Sequence, residues 1–111
     1  MNAEELAEVL LERGAYDVGF PSAWTSIIRE IHNKLVELDP NYRTVQIKQK
    51  FGGLRFYFAT ENQEHAQEMF DFVDKMEALS YKICIDCGDF ATSHRGHYSV
   101  CDEHQSDIMA L

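Results

Sequence analysis

The chain has 111 residues, 45% of them apolar, which is enough for one core and too little for a second independent domain. It carries 19 acidic against 10 basic side chains, a formal charge of −9, and such a field argues against a general nucleic-acid binder. No run of 18 apolar residues and no charged, apolar leader is present, so a cytoplasmic protein without a membrane partner is expected, and three cysteines in a reducing compartment point to metal rather than disulfides.

Residues 2–13 place Leu6, Val9 and Leu10 at helical spacing, with Gly14 as the terminating residue. Residues 15–20 read as a linker. After Pro21, the series Trp24, Ile27, Ile28, Ile31, Leu35 and Leu38 predicts a second helix with a wide apolar face, ended by Pro40. Trp24 and Tyr42 are expected in or beside the core, and His32 and His65 on helix surfaces or caps.

Residues 44–50 and 54–60 alternate in polarity on either side of Gly52 and Gly53, which predicts a β-hairpin turning on the two glycines. That turn pairs Phe51 with Leu54, Lys50 with Arg55, Gln49 with Phe56, Lys48 with Tyr57 and Ile47 with Phe58, and puts Val45 on the face of Ile47. Residues 61–79 form a third helix with the stripe Ala66, Met69, Phe70, Val73 and Met76. The fold class is thus α+β: two N-terminal helices, a β-hairpin, a third helix and a C-terminal zinc finger. The chain reads as a single domain over residues 1–111, with a helical and hairpin core in 1–80 and a metal-binding tail in 81–111.

In the tail, Cys84 and Cys87 form a C-x2-C pair followed by Gly88, and thirteen residues later Cys101 and His104 form a C-x2-H pair. This spacing suits a tetrahedral Cys3His zinc site, because a tight turn converges two sulfurs on one ion and a first helical turn supplies the other two ligands. Zinc held by Cys84, Cys87, Cys101 and His104 has no open position for a reactive water, so it is structural and the chain is not expected to be an enzyme. His94 and His97 are rival fourth ligands that lack the two-residue offset from a cysteine. Knuckle, hairpin-like loop and closing helix together suggest a treble-clef-like finger.

Residues 40–60 hold Arg43, Lys48, Lys50 and Arg55 and no acidic residue. On the predicted hairpin Lys48, Lys50, Arg55 and Tyr57 share the polar face, and like charges opposed across a sheet cost up to ~1 kcal/mol. A face built against its own stability points to an anionic partner. The competing reading is that helix acids, or a second copy of this chain in a homo-oligomer, neutralise these cations.

The run K-Q-K-F-G-G-L-R-F-Y from Lys48 to Tyr57, followed by the C-x2-C-G and C-x2-H tail, resembles a family of short proteins from bacteria and their phages, mostly hypothetical. Gln49 stands where similar sequences often have Glu, and Asp89 to Ala91 where they often have Pro-Gly. The resemblance implies the zinc site and a phage or prophage setting. The expectation is therefore a non-enzymatic, zinc-stapled protein acting on a host component, as a defence inhibitor or host-takeover factor with a host protein as partner. The alternatives are a sequestering protein for a phosphate-containing small molecule such as a nucleotide signal, and an RNA- or DNA-binding module using the basic hairpin, which the net charge disfavours.

Overall fold

A computed structural model describes residues 1–103. Helix α1 (Ala3–Glu12) begins at a reciprocal cap, in which Asn2 Oδ1 accepts from the Glu5 N–H at 2.8 Å and Glu5 Oε1 accepts from the Asn2 N–H. It buries Leu6 and Leu10 and gives way to Gly14 at φ +117°, the left-handed geometry that ends helices. The segment read as a linker contains a short strand, β1 (Asp17–Val18), and a 3₁₀ turn over Ser22–Trp24 leads into α2 (Thr25–Leu38). Two residues are too few to show an alternation in sequence. β1 is specified by its partner: it pairs in parallel with β2 (Arg43–Lys50) through Asp17 opposite Gln46 and Val18 opposite Ile47.

β2 pairs antiparallel with β3 (Gly53–Ala59), giving a sheet in the order β1-β2-β3. The register differs from the one expected. Lys50 opposes Gly53, Gln49 opposes Leu54, Lys48 opposes Arg55 and Ile47 opposes Phe56, so the turn is Phe51-Gly52 and not Gly52-Gly53. Both turn residues are left-handed, at φ 53° and 84°, as a primed turn requires. The shift moves each pairing by two residues, which preserves the faces: Ile47, Leu54, Phe56 and Phe58 are buried, and the basic residues lie opposite.

Val45 is an exception to the expected alternation. A bulge between Thr44 and Gln46 turns Val45 outward, 41% exposed, and buries Thr44 instead. The cause is the end of α1. The Thr44 hydroxyl donates to the Leu10 carbonyl and accepts from the Ala15 N–H, satisfying backbone groups that the helix leaves open.

Helix α3 (Ala66–Ser80) starts later than expected, and its Phe70 is 46% exposed while Met69, Val73 and Met76 are buried. It covers the outer edge of β3 with side chains: Ser80 Oγ accepts from the Leu54 N–H at 2.8 Å and Glu77 Oε2 from the Phe56 N–H at 2.7 Å. An edge that would otherwise offer free N–H groups is thereby closed. Burial raises the Glu77 carboxyl above the usual carboxylate range, against the opposing pull of that N–H and of Arg55. The three helices lie on one side of the sheet around Trp24, Ile28, Ile31 and Leu35, and the other side carries none of them and is covered at Gly53 by the Tyr81 ring.

His32 corrects the surface assignment. It is buried within this core, its Nδ1 2.7 Å from the Tyr42 hydroxyl, while the Arg13 guanidinium lies 4.5 Å above the Tyr42 ring and donates to the Pro40 and Tyr42 carbonyls. Burial, and then the charge of Arg13, hold the His32 pKa below its ordinary value.

After α3 the chain forms a second small sheet, β4 (Ser93–Arg95) with β5 (Tyr98–Val100), turning at Gly96. Cys84, Val100 and Cys101 make a separate buried cluster, and Ile85 packs on both clusters. No described helix is long and apolar enough to cross a membrane.

Candidate metal centre and the hairpin beside it

The C-x2-C segment folds as a tight knuckle. The Gly88 N–H donates to the Cys84 carbonyl at 2.9 Å with Gly88 at φ +86°, the Cys84 N–H donates to the Asp89 carbonyl, and the Asp86 N–H points at Cys84 Sγ from 3.4 Å. Ile83 and Phe90 bridge across its base. Glycine is needed at this bend because the left-handed geometry is costly for any residue with a Cβ.

Strand β5 then delivers Cys101. Ile85 N–H donates to the Ser99 carbonyl and the Thr92 N–H to the Val100 carbonyl, so the knuckle is laced to the small hairpin and Cys101 emerges beside it. The three sulfurs of Cys84, Cys87 and Cys101 all lie within 4.8 Å of one another, and Cys87 and Cys101 are 3.6 Å apart. Tetrahedral thiolates at zinc–sulfur bond length stand about 3.8 Å apart, so this triangle is close to the dimensions that hold a metal ion. His104 lies outside the described residues.

Burial alone would push Cys84 up, yet the backbone N–H groups of Cys101, Cys87 and Asp86 outweigh it and bring the thiol down to about 6. At Cys87 an N–H from Asp89 pulls downward, but desolvation, the thiol contacts to Cys101 and Cys84, and the charge at Cys84 push it up to about 12. A divalent cation would deprotonate the thiols, because its own charge dominates the site.

His94 and His97 are not brought to the sulfurs; the group of potential metal ligands among the described residues is Cys84, Cys87 and Cys101. Both histidines are exposed, His94 on β4 and His97 at the β4–β5 turn. His97 has another contact. Its ring meets the Phe51 ring edge to face, 5.5 Å between centroids.

That contact belongs to a joint between the two sheets. A Cβ built on Gly52 would fall 1.8 Å from the His97 carbonyl oxygen, and one on Gly53 would fall 2.0 Å from the Tyr81 ring. Gln49 caps the turn through Oε1, accepting from the Gly52 N–H at 2.8 Å, and its amide nitrogen lies 3.4 Å from the Tyr98 hydroxyl. The Tyr81 carbonyl in turn accepts from the Ser99 hydroxyl. The Phe-Gly-Gly segment therefore does more than reverse the chain. Its missing side chains let the finger seat against the large hairpin, a role that a turn signal in the sequence does not reveal.

Lys48, Lys50, Arg55 and Tyr57 share the uncovered face of the large sheet as expected, but Lys48 rather than Lys50 stands opposite Arg55. Lys48 Nζ lies 6.0 Å from the Tyr57 ring centroid, Lys50 Nζ 5.8 Å from Phe51 and the Arg55 guanidinium 5.9 Å from Tyr81. Among the described residues none of the three cations forms an ion pair. Asp17, bonded to the Gln46 amide, and Glu77, whose field reaches Arg55, mark the acidic margins of the face.

Compared with known proteins, the chain matches no family model, no curated protein and no solved structure.

Proposed function

We propose that the chain is a non-enzymatic, zinc-stapled binding protein that receives an anionic surface of a host component on the uncovered face of its large sheet. The observation that carries this reading is the set Lys48, Lys50 and Arg55. The three share one sheet face without an ion pair among the described residues, in a chain whose net charge is −9. Lys48 and Arg55 oppose each other directly, a pairing that costs stability and is relieved by a bound anion.

The metal's part is structural. Zinc on Cys84, Cys87, Cys101 and His104, in a treble-clef-like finger, has a full set of protein ligands and no position for a reactive water. Metal affinity then becomes folding energy for a segment with little core of its own. The finger seats on the Phe51-Gly52 turn, so the staple also steadies the hairpin that displays the cations. The resemblance of the hairpin and tail to short bacterial and phage proteins supports a phage or prophage setting and a cytoplasmic target.

A small phosphate-bearing ligand suits this face less well. Cavities of about 400, 320 and 180 Å³ lie at the Asp39–Glu61 end, at the junction of Pro21 with the finger, and between β3 and α3, and none of these three is lined by Lys48, Lys50 or Arg55. The test is the double variant Lys48→Ala/Arg55→Ala, immobilised beside wild type and exposed to host lysate with and without nuclease. It is expected to keep its zinc and thermal midpoint and to lose the partner that wild type retains. Equal retention per folded molecule would overturn the reading.

A further inference from the structure

The uncovered face carries rings as well as cations, and the two kinds of group are ordered in levels along the strands. At one level Tyr57 stands opposite Gln46, whose Oε1 accepts from the Tyr16 hydroxyl at 2.9 Å, so two tyrosines flank one amide. Two residues further, about 7 Å along the strand, Lys48 opposes Arg55. At the next level Lys50 opposes Gly53, where the Tyr81 ring closes the face, with Phe51 packed on His97 just beyond. Tyr16 is 73% exposed, Phe51 63% and Tyr57 42%.

An acidic protein surface would be met by the cations alone, leaving the exposed rings of Tyr16 and Tyr57 unused. A nucleotide chain uses both. Its bases stack on aromatic faces and its phosphates pair with Lys and Arg. The cations line none of the three cavities described above, which suits an extended ligand. Its margins disfavour a duplex, because double-stranded DNA brings one charge per about 1.7 Å of axis toward Asp17 and Glu77, whereas a flexible single strand can follow the basic levels between them.

We infer that the occupant of this face is a short single-stranded nucleic-acid segment, with bases stacked on Tyr57 and Tyr16 and phosphates held by Lys48, Lys50 and Arg55. This rests on the binding-face reading above and names its partner. Stacking supplies the part of the affinity that the acidic remainder of the chain cannot oppose.

The experiment is fluorescence anisotropy of labelled oligothymidine, oligouridine and a short duplex, titrated with the zinc-loaded full chain. Single strands are expected to bind in preference to duplex. Three phosphate contacts at a slope of about 0.7 each should weaken binding roughly 20-fold between about 50 and 200 mM salt. Tyr57→Ala should weaken it about 10-fold with the slope unchanged, since it removes the platform for one stacked base, and Tyr57→Phe should restore it. Lys48→Ala should instead reduce the slope by about 0.7. Absence of single-strand binding at low salt by folded, zinc-loaded protein overturns the inference, as does binding indifferent to Tyr57→Ala. If it falls while Lys48→Ala/Arg55→Ala still loses an acidic protein that wild type retains from nuclease-treated lysate, the binding face stands and its occupant was misassigned. If the double variant also changes nothing, both readings fall.

Discussion

The helical core and the finger solve the same folding problem with different means. Residues 3–80 bury a continuous cluster from Leu6 to Met76 and close the open edge of β3 with Ser80 and Glu77. The finger buries Cys84, Val100 and Cys101 with support from Ile85, too little apolar surface to hold a segment of its length. What it has instead is a sulfur triangle of metal-binding dimensions. The difference locates vulnerability: the core should respond to lost volume, the finger to lost metal, and the Phe51-Gly52-Gly53 joint to both.

The largest effect is expected at the sulfurs. Cys84→Ser, Cys87→Ser or Cys101→Ser should each abolish stoichiometric zinc and unfold the finger, because structural zinc contributes on the order of 10 kcal/mol to the folding of such a segment. Elemental analysis alongside far-UV circular dichroism checks this, and the helical signal of the core should persist. In the core, Phe56→Ala should cost ~3–5 kcal/mol in urea unfolding, because Phe56 is 2% exposed and leaves a cavity. A loss confined to the finger in that variant would contradict the division.

The joint comes next. Gly52→Ala must hold a left-handed φ of 84°, which alone costs about 1–2 kcal/mol, and place a Cβ against the His97 carbonyl, so it should destabilise by more than that strain and lower zinc affinity at a distance from every sulfur. Competition with a chelator measures that directly. If zinc affinity were unchanged, the two regions would be energetically independent.

A smaller, pH-dependent effect separates the core from the metal site. The folded pKa of His32 lies below its unfolded value, so its burial is favourable as the neutral ring. The contribution is full above the ordinary histidine pKa of about 6.5 and is lost as pH falls through and below it toward the folded value. His32→Asn should therefore flatten the dependence of the core's urea midpoint on pH across that window. Smallest of all is the stability change in Lys48→Ala/Arg55→Ala, expected within about 0.5 kcal/mol of wild type by thermal unfolding.

How much of this was legible in the sequence follows the reach of each signal. The apolar face of α2 is local, and Trp24, Ile28, Ile31 and Leu35 are all buried as their spacing implied. Convergence of Cys84, Cys87 and Cys101 was legible because a C-x2-C turn fixes two ligands by itself and the third follows a short hairpin. The hairpin register was not legible. Gly53 pairs with Lys50 where only a glycine leaves room for the Tyr81 ring, and Thr44 is turned inward by the end of α1, contacts 28 and 34 residues away in sequence. β1 escaped for the same reason, as two residues owe their strand geometry to β2. His32 looked like a surface histidine because nothing near it in the chain announces Tyr42 as its partner.

The central claim is that a metal folds the finger and that the finger in turn holds the basic hairpin. Zinc titration of metal-free protein, followed by amide hydrogen exchange, tests it most directly. One equivalent of zinc per chain should raise protection in residues 83–101 and, in parallel, at Gly52 and Gly53 on the large hairpin. Uptake that protects the finger while leaving that turn unchanged would contradict the account, as would a chain that takes up no zinc.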